Sequence, residues 1–410
     1  MTPASPPPSL PGDERQALKT LFATGFRPFF LLAAGHAVFA IPVWLLVLHL
    51  GGGELILAGT VWHAHEMIFG FATAVIAGFL LTAVQNWTKL PTANGLLLGG
   101  LAGLWLLGRV LMNVPMTFPL ASYTITGLVN LAFLPVLAFV LSQPIFKSNN
   151  TRNYKILAII AALWLSQLAI FSSIFGWVEL SAYSYSAVRG ALDLVIILIL
   201  VVTGRIVPLF TRNATGVQTI RSLPFADVVA IGGAVALLVL GLMEVGSLAL
   251  GVVSAITGAF VLIRMIHWGT KHTLKTPLLW ILHLGHAWVG IGFLLQAIEQ
   301  LGVLTAVPSS RHALAAGAIG TLTLGMMARV GLGHTGRELK THPLTNISFV
   351  VLSVGVLLRV LAPLAYLVAG DGAYQPVLDV AGTLWVVAFV LFLIVYVPIL
   401  LAPRPDGKPG

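Results

Sequence analysis

The sequence predicts an all-α protein, a polytopic transmembrane helical bundle of about twelve spans, and three observations predict it. The chain has 410 residues, 58% hydrophobic and only 9% charged, whereas a soluble domain carries about 25% charged residues. Apolar runs of about 20 residues recur along nearly the whole length, each long enough to cross the ~30 Å hydrocarbon core. The period-two alternation of a membrane barrel is missing, so these runs are helices.

The predicted spans are 29–50, 62–85, 94–114, 121–142, 155–176, 187–210, 224–243, 246–267, 277–299, 311–331, 344–369 and 376–401. Breaker clusters separate them, such as Gly51-Gly52-Gly53, Ser148-Asn149-Asn150 and Pro308-Ser309-Ser310. The chain thus divides into a tail (1–26), a twelve-helix domain (27–402) and a second tail (403–410). The first tail is proline-rich, then polar, and lacks the basic start and small-residue cleavage site of a signal peptide. Leu18 to Phe26 is suited to the membrane interface.

Charge orients the bundle. Arg15, Lys19, Arg27, Lys89, Lys147, Arg152, Lys155, Arg212, Arg221, Lys271, Lys275, Arg337, Lys340, Arg404 and Lys408 all fall on one predicted side. Glu54, Glu179, Glu244, Glu299 and Asp371 fall on the other, with Arg311 almost the only base there. The positive-inside rule makes the first side cytoplasmic and both termini cytoplasmic. It also accounts for the net charge of +9 by contact with membrane lipid, so no nucleic acid is needed. A bacterial inner membrane, with the chain N-in and C-in, is the expected location.

A repeat is visible at low resolution. The spans starting near 62, 187 and 311 run in the same direction and end in a Thr close to a base, as in Trp87-Thr88-Lys89, Thr211-Arg212 and Thr335-Gly336-Arg337. Three four-helix units would produce this, though any series of even hairpins looks periodic.

The eleven histidines carry the chemical signal. There is no cysteine, which excludes disulfides, Cys-held clusters and covalently attached c-type haem. A metal must therefore be held by His, Met, Tyr or carboxylate. Trp62-His63-Ala64-His65-Glu66-Met67 opens the second span at the outer side. On a regular helix His63, Glu66 and Met67 share one side while His65 points about 200° away. One of the two histidines would then ligate and the other hydrogen-bond, unless both merely accompany an interfacial Trp. His312 opens the tenth span on the same outer side, and two histidines on different helices are the least a six-coordinate haem iron needs.

Deeper in the bilayer, His283 and His286 share a helix face, with His36 at a comparable depth. These three suit a haem or copper site, or simply interhelical hydrogen bonds. His334 lies in Gly331-Leu332-Gly333-His334-Thr335-Gly336-Arg337, a ligand approach or a helix cap. Arg205 and Arg329 are placed to meet haem propionates or to snorkel. Arg189 and Asp193, four apart, are expected to pair. Phosphate loops and hydrolytic triads are missing from the sequence.

Several segments resemble the NnrS family. They are Gly25-Phe26-Arg27-Pro28-Phe29-Phe30, Trp62 to Glu66 leading to Gly78-Phe79-Leu80-Leu81-Thr82-Ala83 and Asn86-Trp87-Thr88, Gly204-Arg205-Ile206-Val207-Pro208, His283 to Trp288, and Arg329 to Arg337. The resemblance runs in the same order over essentially the whole chain. It implies a twelve-span inner-membrane protein containing non-covalent b-type haem and copper. It further implies a role in the response to nitric oxide and tolerance of nitrosative stress, with nitric oxide or another diatomic as partner. The family's histidine-bearing motifs map onto His63, His65, His283, His312 and His334. His286 stands where the family more often has Tyr.

Two other classes compete. A secondary transporter fits twelve Gly- and Pro-interrupted spans, with Glu66, Asp193 and Asp379 as proton couplers. A distant relative of haem–copper oxidase or nitric oxide reductase catalytic subunits fits the span count and the outer histidines. The sixth and seventh spans carry no histidine, however, so the three-His copper site of that class is missing.

Overall fold

A computed structural model describes residues 11–51, 56–57, 59–114, 122–172, 174–177, 183–303 and 309–408, without the side chains of 11–14 and 371. The proline-rich start, Glu54, Glu179 and Pro308 lie outside the described residues. All regular structure among the described residues is helical.

A short helix, α1 (Pro11–Leu21), precedes the bundle. Then come α2 (Phe26–Leu50), α3 (Gly59–Thr88), α4 (Gly95–Asn113), α5 (Tyr123–Lys147), α6 (Tyr154–Phe171) and α7 (Ser184–Thr215). The second half is α8 (Pro224–Leu242), α9 (Ser247–Ile263), α10 (Pro277–Gln300), α11 (Ser310–His334), α12 (Pro343–Ala369) and α13 (Asp371–Leu401).

Eleven of these are long and apolar enough to cross a membrane, against the twelve expected. The twelfth, α9, stops at Ile263 instead of the predicted 267. Beyond it the chain continues as a series of turns through Trp268, with the Arg264 side chain turned inward to Asp227. At about 1.5 Å per residue α9 still packs antiparallel between α8 and α10 as a nearly full-length member. Two helices outrun their predicted limits at 142 and 376. Helix α5 continues through Pro144 to Lys147, and α13 begins ahead of Pro376. Each of these prolines lacks the N–H that would reach the carbonyl four residues earlier, and the helix runs on past that one missing bond.

Burial sorts the helices into an inner and an outer set. In the apolar windows of α3 and α11, 83% of residues are buried, compared with 22% in α8 and 28% in α2. Helices α3, α7 and α11, the starts of the suspected repeat, line a cleft of about 80 Å3 together with Phe30 of α2. Its walls are apolar, with Val75, Leu198, Ile319 and Met326 among them. Helix α13 packs back on α2 and closes the outer ring. Arg27 tightens that closure by donating to the carbonyls of Leu400 (2.5 Å) and Ala402 (3.0 Å). The described start and end of the bundle therefore meet at one end. There Arg404 donates to the His334 carbonyl (2.9 Å) and to Asp406 (2.6 Å), and its guanidinium holds the Asp406 carboxyl below the usual carboxylate range.

Two inner helices are irregular in the same way. Helix α3 widens to a π-helix over Glu66–Ala72, and α11 over Ala313–Gly320, each just after its histidine-bearing first turn. Such widenings gather at functional sites. Helix α7 is a continuous α-helix, so this feature links the first and third units but not the second.

Candidate metal and ligand centres

The first cluster surrounds Glu66, which is fully buried. Its Oε1 accepts from Arg109 (2.5 Å) and from His65 Nδ1 (3.0 Å), and its Oε2 accepts weakly from Asn113 (3.4 Å). His36 Nε2 lies 3.1 Å from the Glu66 carbonyl and 3.5 Å from Oε2. Arg109 also donates to Asn130, and the Gln167 amide meets His65 Nε2 at 3.2 Å. Five helices, α2 to α6, thus converge on one carboxylate.

The π-helical stretch makes this possible. The carbonyls of Glu66 and Gly70 receive side-chain donors, from His36 and from Trp105 (3.2 Å). That keeps the widened turn satisfied without water. A Cβ on Gly70 would collide with the His36 ring and crowd Arg109, so only glycine fits.

This arrangement differs from the regular-helix expectation. Glu66 bonds its neighbour His65, while His63 stacks on Trp44. His36 joins Glu66 and is not brought together with His283 and His286.

The second cluster lies at the same end, where α3 begins. His63 stacks on Trp44 (4.6 Å between centroids, 16° between planes). His312 Nε2 accepts from Arg359 Nη2 at 3.1 Å. The charge of Arg359 reaches both histidines, and His312 and His63 also interact. Two neighbouring imidazole nitrogens here, His63 Nδ1 and His312 Nδ1, are enclosed without a partner in the protein, beside the Arg359 guanidinium, which also interacts with Tyr374. An arginine only donates, so His312 Nε2 supplies a lone pair and its Nδ1 carries the proton. The cluster therefore offers two N–H donors and, at His63, an imidazole nitrogen available to a metal.

The third cluster joins α10 to α7. Thr211 Oγ1 donates to the Val207 carbonyl (2.8 Å), so it accepts from His283 Nε2 (2.9 Å). His283 Nδ1 then accepts from Thr270 (2.9 Å), and both ring nitrogens are occupied. By the same logic Thr203, which donates to Ile199 (2.7 Å), accepts from His286 Nδ1 (3.0 Å). That leaves His286 Nε2 as a buried lone pair without a partner, against the Trp268 ring (4.5 Å).

The remaining predicted residues stand apart. His334 packs against Phe26 (5.8 Å) at the basic end. Arg329 lies over the Phe210 ring (4.2 Å), and Arg205 reaches Asn153 (3.4 Å) and a basic cavity. Arg189 bonds Ser186 (3.2 Å) and stays beyond ion-pair distance of Asp193, whose carboxyl sits between the charges of Arg311 and Arg189. Among the described residues, no three His, Asp or Glu side chains are arranged to hold a metal ion.

The NnrS family profile, described as NnrS protein, matches residues 20–404. The chain belongs to the NnrS family. Among curated proteins none matches it. Two NnrS-like motif residues have visible structural tasks: Arg27 ties α2 to α13, and Gly204 lets the Arg264 guanidinium lie against α7.

Sequence reading passed over Asn130 and Gln167, which hold the Glu66 cluster, and Thr203 and Thr211, which fix the histidine tautomers. A signal existed for the amides, since Asn and Gln within apolar spans are candidates for interhelical bonds. Nothing in the local sequence marks the threonines, because threonine is ordinary in such helices.

Proposed function

We propose that this NnrS protein is a haem- or copper-containing membrane protein acting in the response to nitric oxide. The supporting observation is the pair of enclosed, unpartnered imidazole nitrogens on His63 and His312 beside the Arg359 guanidinium. Burying a polar group without a partner costs about 1–3 kcal/mol, a cost that a bound ligand would remove. The donor chemistry fits a haem-type group. His63 would bind the metal, and Arg359 with His312 would hold a carboxylate at its edge. When bound, the group supplies a coordination position for a diatomic such as nitric oxide. The protein's part is to keep His63 aligned by stacking on Trp44 and to enclose the site at the end of α3. His286 Nε2 is a candidate for a second metal, with its ring already oriented by Thr203 in the manner of metal-ligating histidines.

By the positive-inside rule, the end bearing Arg27, Arg212 and Arg404 faces the cytoplasm of a bacterial inner membrane, and the His63 end faces outward. A transporter reading is weaker. The central cleft is apolar, and Asp379 is an exposed partner of His49 (3.0 Å) and not an embedded coupler.

The test is an optical and EPR spectrum with metal analysis of the purified protein. A Soret band or copper signal is expected, lost or shifted in His63→Ala and His312→Ala but retained in His283→Ala. Wild-type protein with neither band nor bound metal would sink the proposal.

A further inference from the structure

At the end opposite His63, helices α6, α7 and α8 part around a cavity of about 820 Å3. Besides Arg264, five basic side chains line it: Arg152 from the turn before α6, Lys155 from the start of α6, Arg205 and Arg212 from α7, and Arg221 from the α7–α8 loop. Their charges are close enough to interact, Arg152 with both Lys155 and Arg205. The carboxylate in the wall, Asp227, is already paired with Arg264 at 2.7 Å. Arg264 is itself buried and fixed by the Leu200 carbonyl (3.2 Å), an approach that Gly204 permits by having no side chain. Asn153 accepts from Arg205 (3.4 Å) and steadies it beside the cavity.

A basic rim produced by the positive-inside rule spreads its charges over separate loops toward lipid headgroups. Here the charges come from three segments and border one shared volume, which is unfavourable unless an anion compensates them. The guanidinium fork matches phosphate oxygens in paired hydrogen bonds, and basic pockets between spanning helices suit phosphate headgroups. We propose that this cavity binds a phosphate-bearing anion, either the headgroup of an anionic phospholipid or a soluble diphosphate.

The test uses the full purified chain in detergent with two probes. Inorganic pyrophosphate is titrated calorimetrically, and phosphatidylglycerol retention is compared with that of phosphatidylcholine by native mass spectrometry. The variants are Arg205→Gln and the exposed double change Arg212→Gln/Arg221→Gln, which spares the helix interior. Lys340→Gln, at the same end but outside the cavity, is the control. Binding of at least one probe is expected, weakened by about tenfold or more in the cavity variants and unchanged in the control. Pyrophosphate binding alone assigns a soluble ligand, phosphatidylglycerol retention alone assigns a lipid, and binding of both assigns the shared phosphate chemistry. No binding of either probe by wild type, or an equal loss in Lys340→Gln, overturns the proposal.

Discussion

His65 and His63 are two residues apart on α3, yet they belong to opposite kinds of site. His65 has both ring nitrogens engaged, by Glu66 and Gln167, inside a cluster fed by five helices. His63 keeps Nδ1 enclosed and unpartnered, as does His312, whose other ring nitrogen is held by Arg359. A satisfied buried network rigidifies what surrounds it, whereas an unsatisfied one is costly until something binds. The first cluster reads as the frame and the second as the place the frame serves.

The largest effect should come from breaking the frame. Arg109→Met leaves the Glu66 carboxylate buried without its cation, which typically costs about 3–5 kcal/mol. Thermal melting of the detergent-solubilised protein should show a large drop. The double change Glu66→Gln/Arg109→Met should recover much of it, because replacing both ions removes the uncompensated charge. A wild-type melting temperature in Arg109→Met would break the comparison, since Glu66 would then not depend on the network.

How much of this could be read from the chain alone follows from which forces act locally. Span number follows from the apolar windows and breakers, and only α9 falls short of a full span, whereas limits are less legible, as α6 ends at Phe171 and not at the predicted 176. Family membership was legible in motifs from Gly25 to Arg337, and the profile match over 20–404 bears it out. Helical geometry also placed His283 and His286 on one face correctly, as their bonds to Thr211 and Thr203 of the same helix show. The same geometry could not supply the partners of Glu66, which come from other helices. A π-helical opening depends on donors arriving from other helices, here His36 and Trp105, and no local sequence pattern encodes those. Which histidine nitrogens are taken is likewise a tertiary property.

A smaller effect is expected at His65. His65→Phe removes a donor from Glu66 and the partner of Gln167 while keeping ring volume. A hydrogen bond to a charged group is worth about 1.5–3 kcal/mol, so the metal-free protein should lose stability in that range. The loss should persist whether or not metal is present, because His65 has no nitrogen to spare for it. A His65→Phe protein that melts normally but fails to bind metal would place His65 with the ligands and erase its difference from His63.

The smallest effect on stability is also the sharpest test. His63→Phe preserves the stack on Trp44 and deletes the orphaned Nδ1. In metal-free protein the change should be within about 0.5 kcal/mol, or a gain of up to about 1 kcal/mol as an unsatisfied group disappears. Loading with metal should raise the stability of wild type by about 2.7 kcal/mol at a hundredfold excess over Kd. That increment should vanish in His63→Phe. The two chemically identical substitutions therefore move opposite quantities, one the stripped protein and the other the response to loading. If His63→Phe instead costs metal-free protein as much as His65→Phe does, His63 has a protein partner and the open site dissolves into the frame.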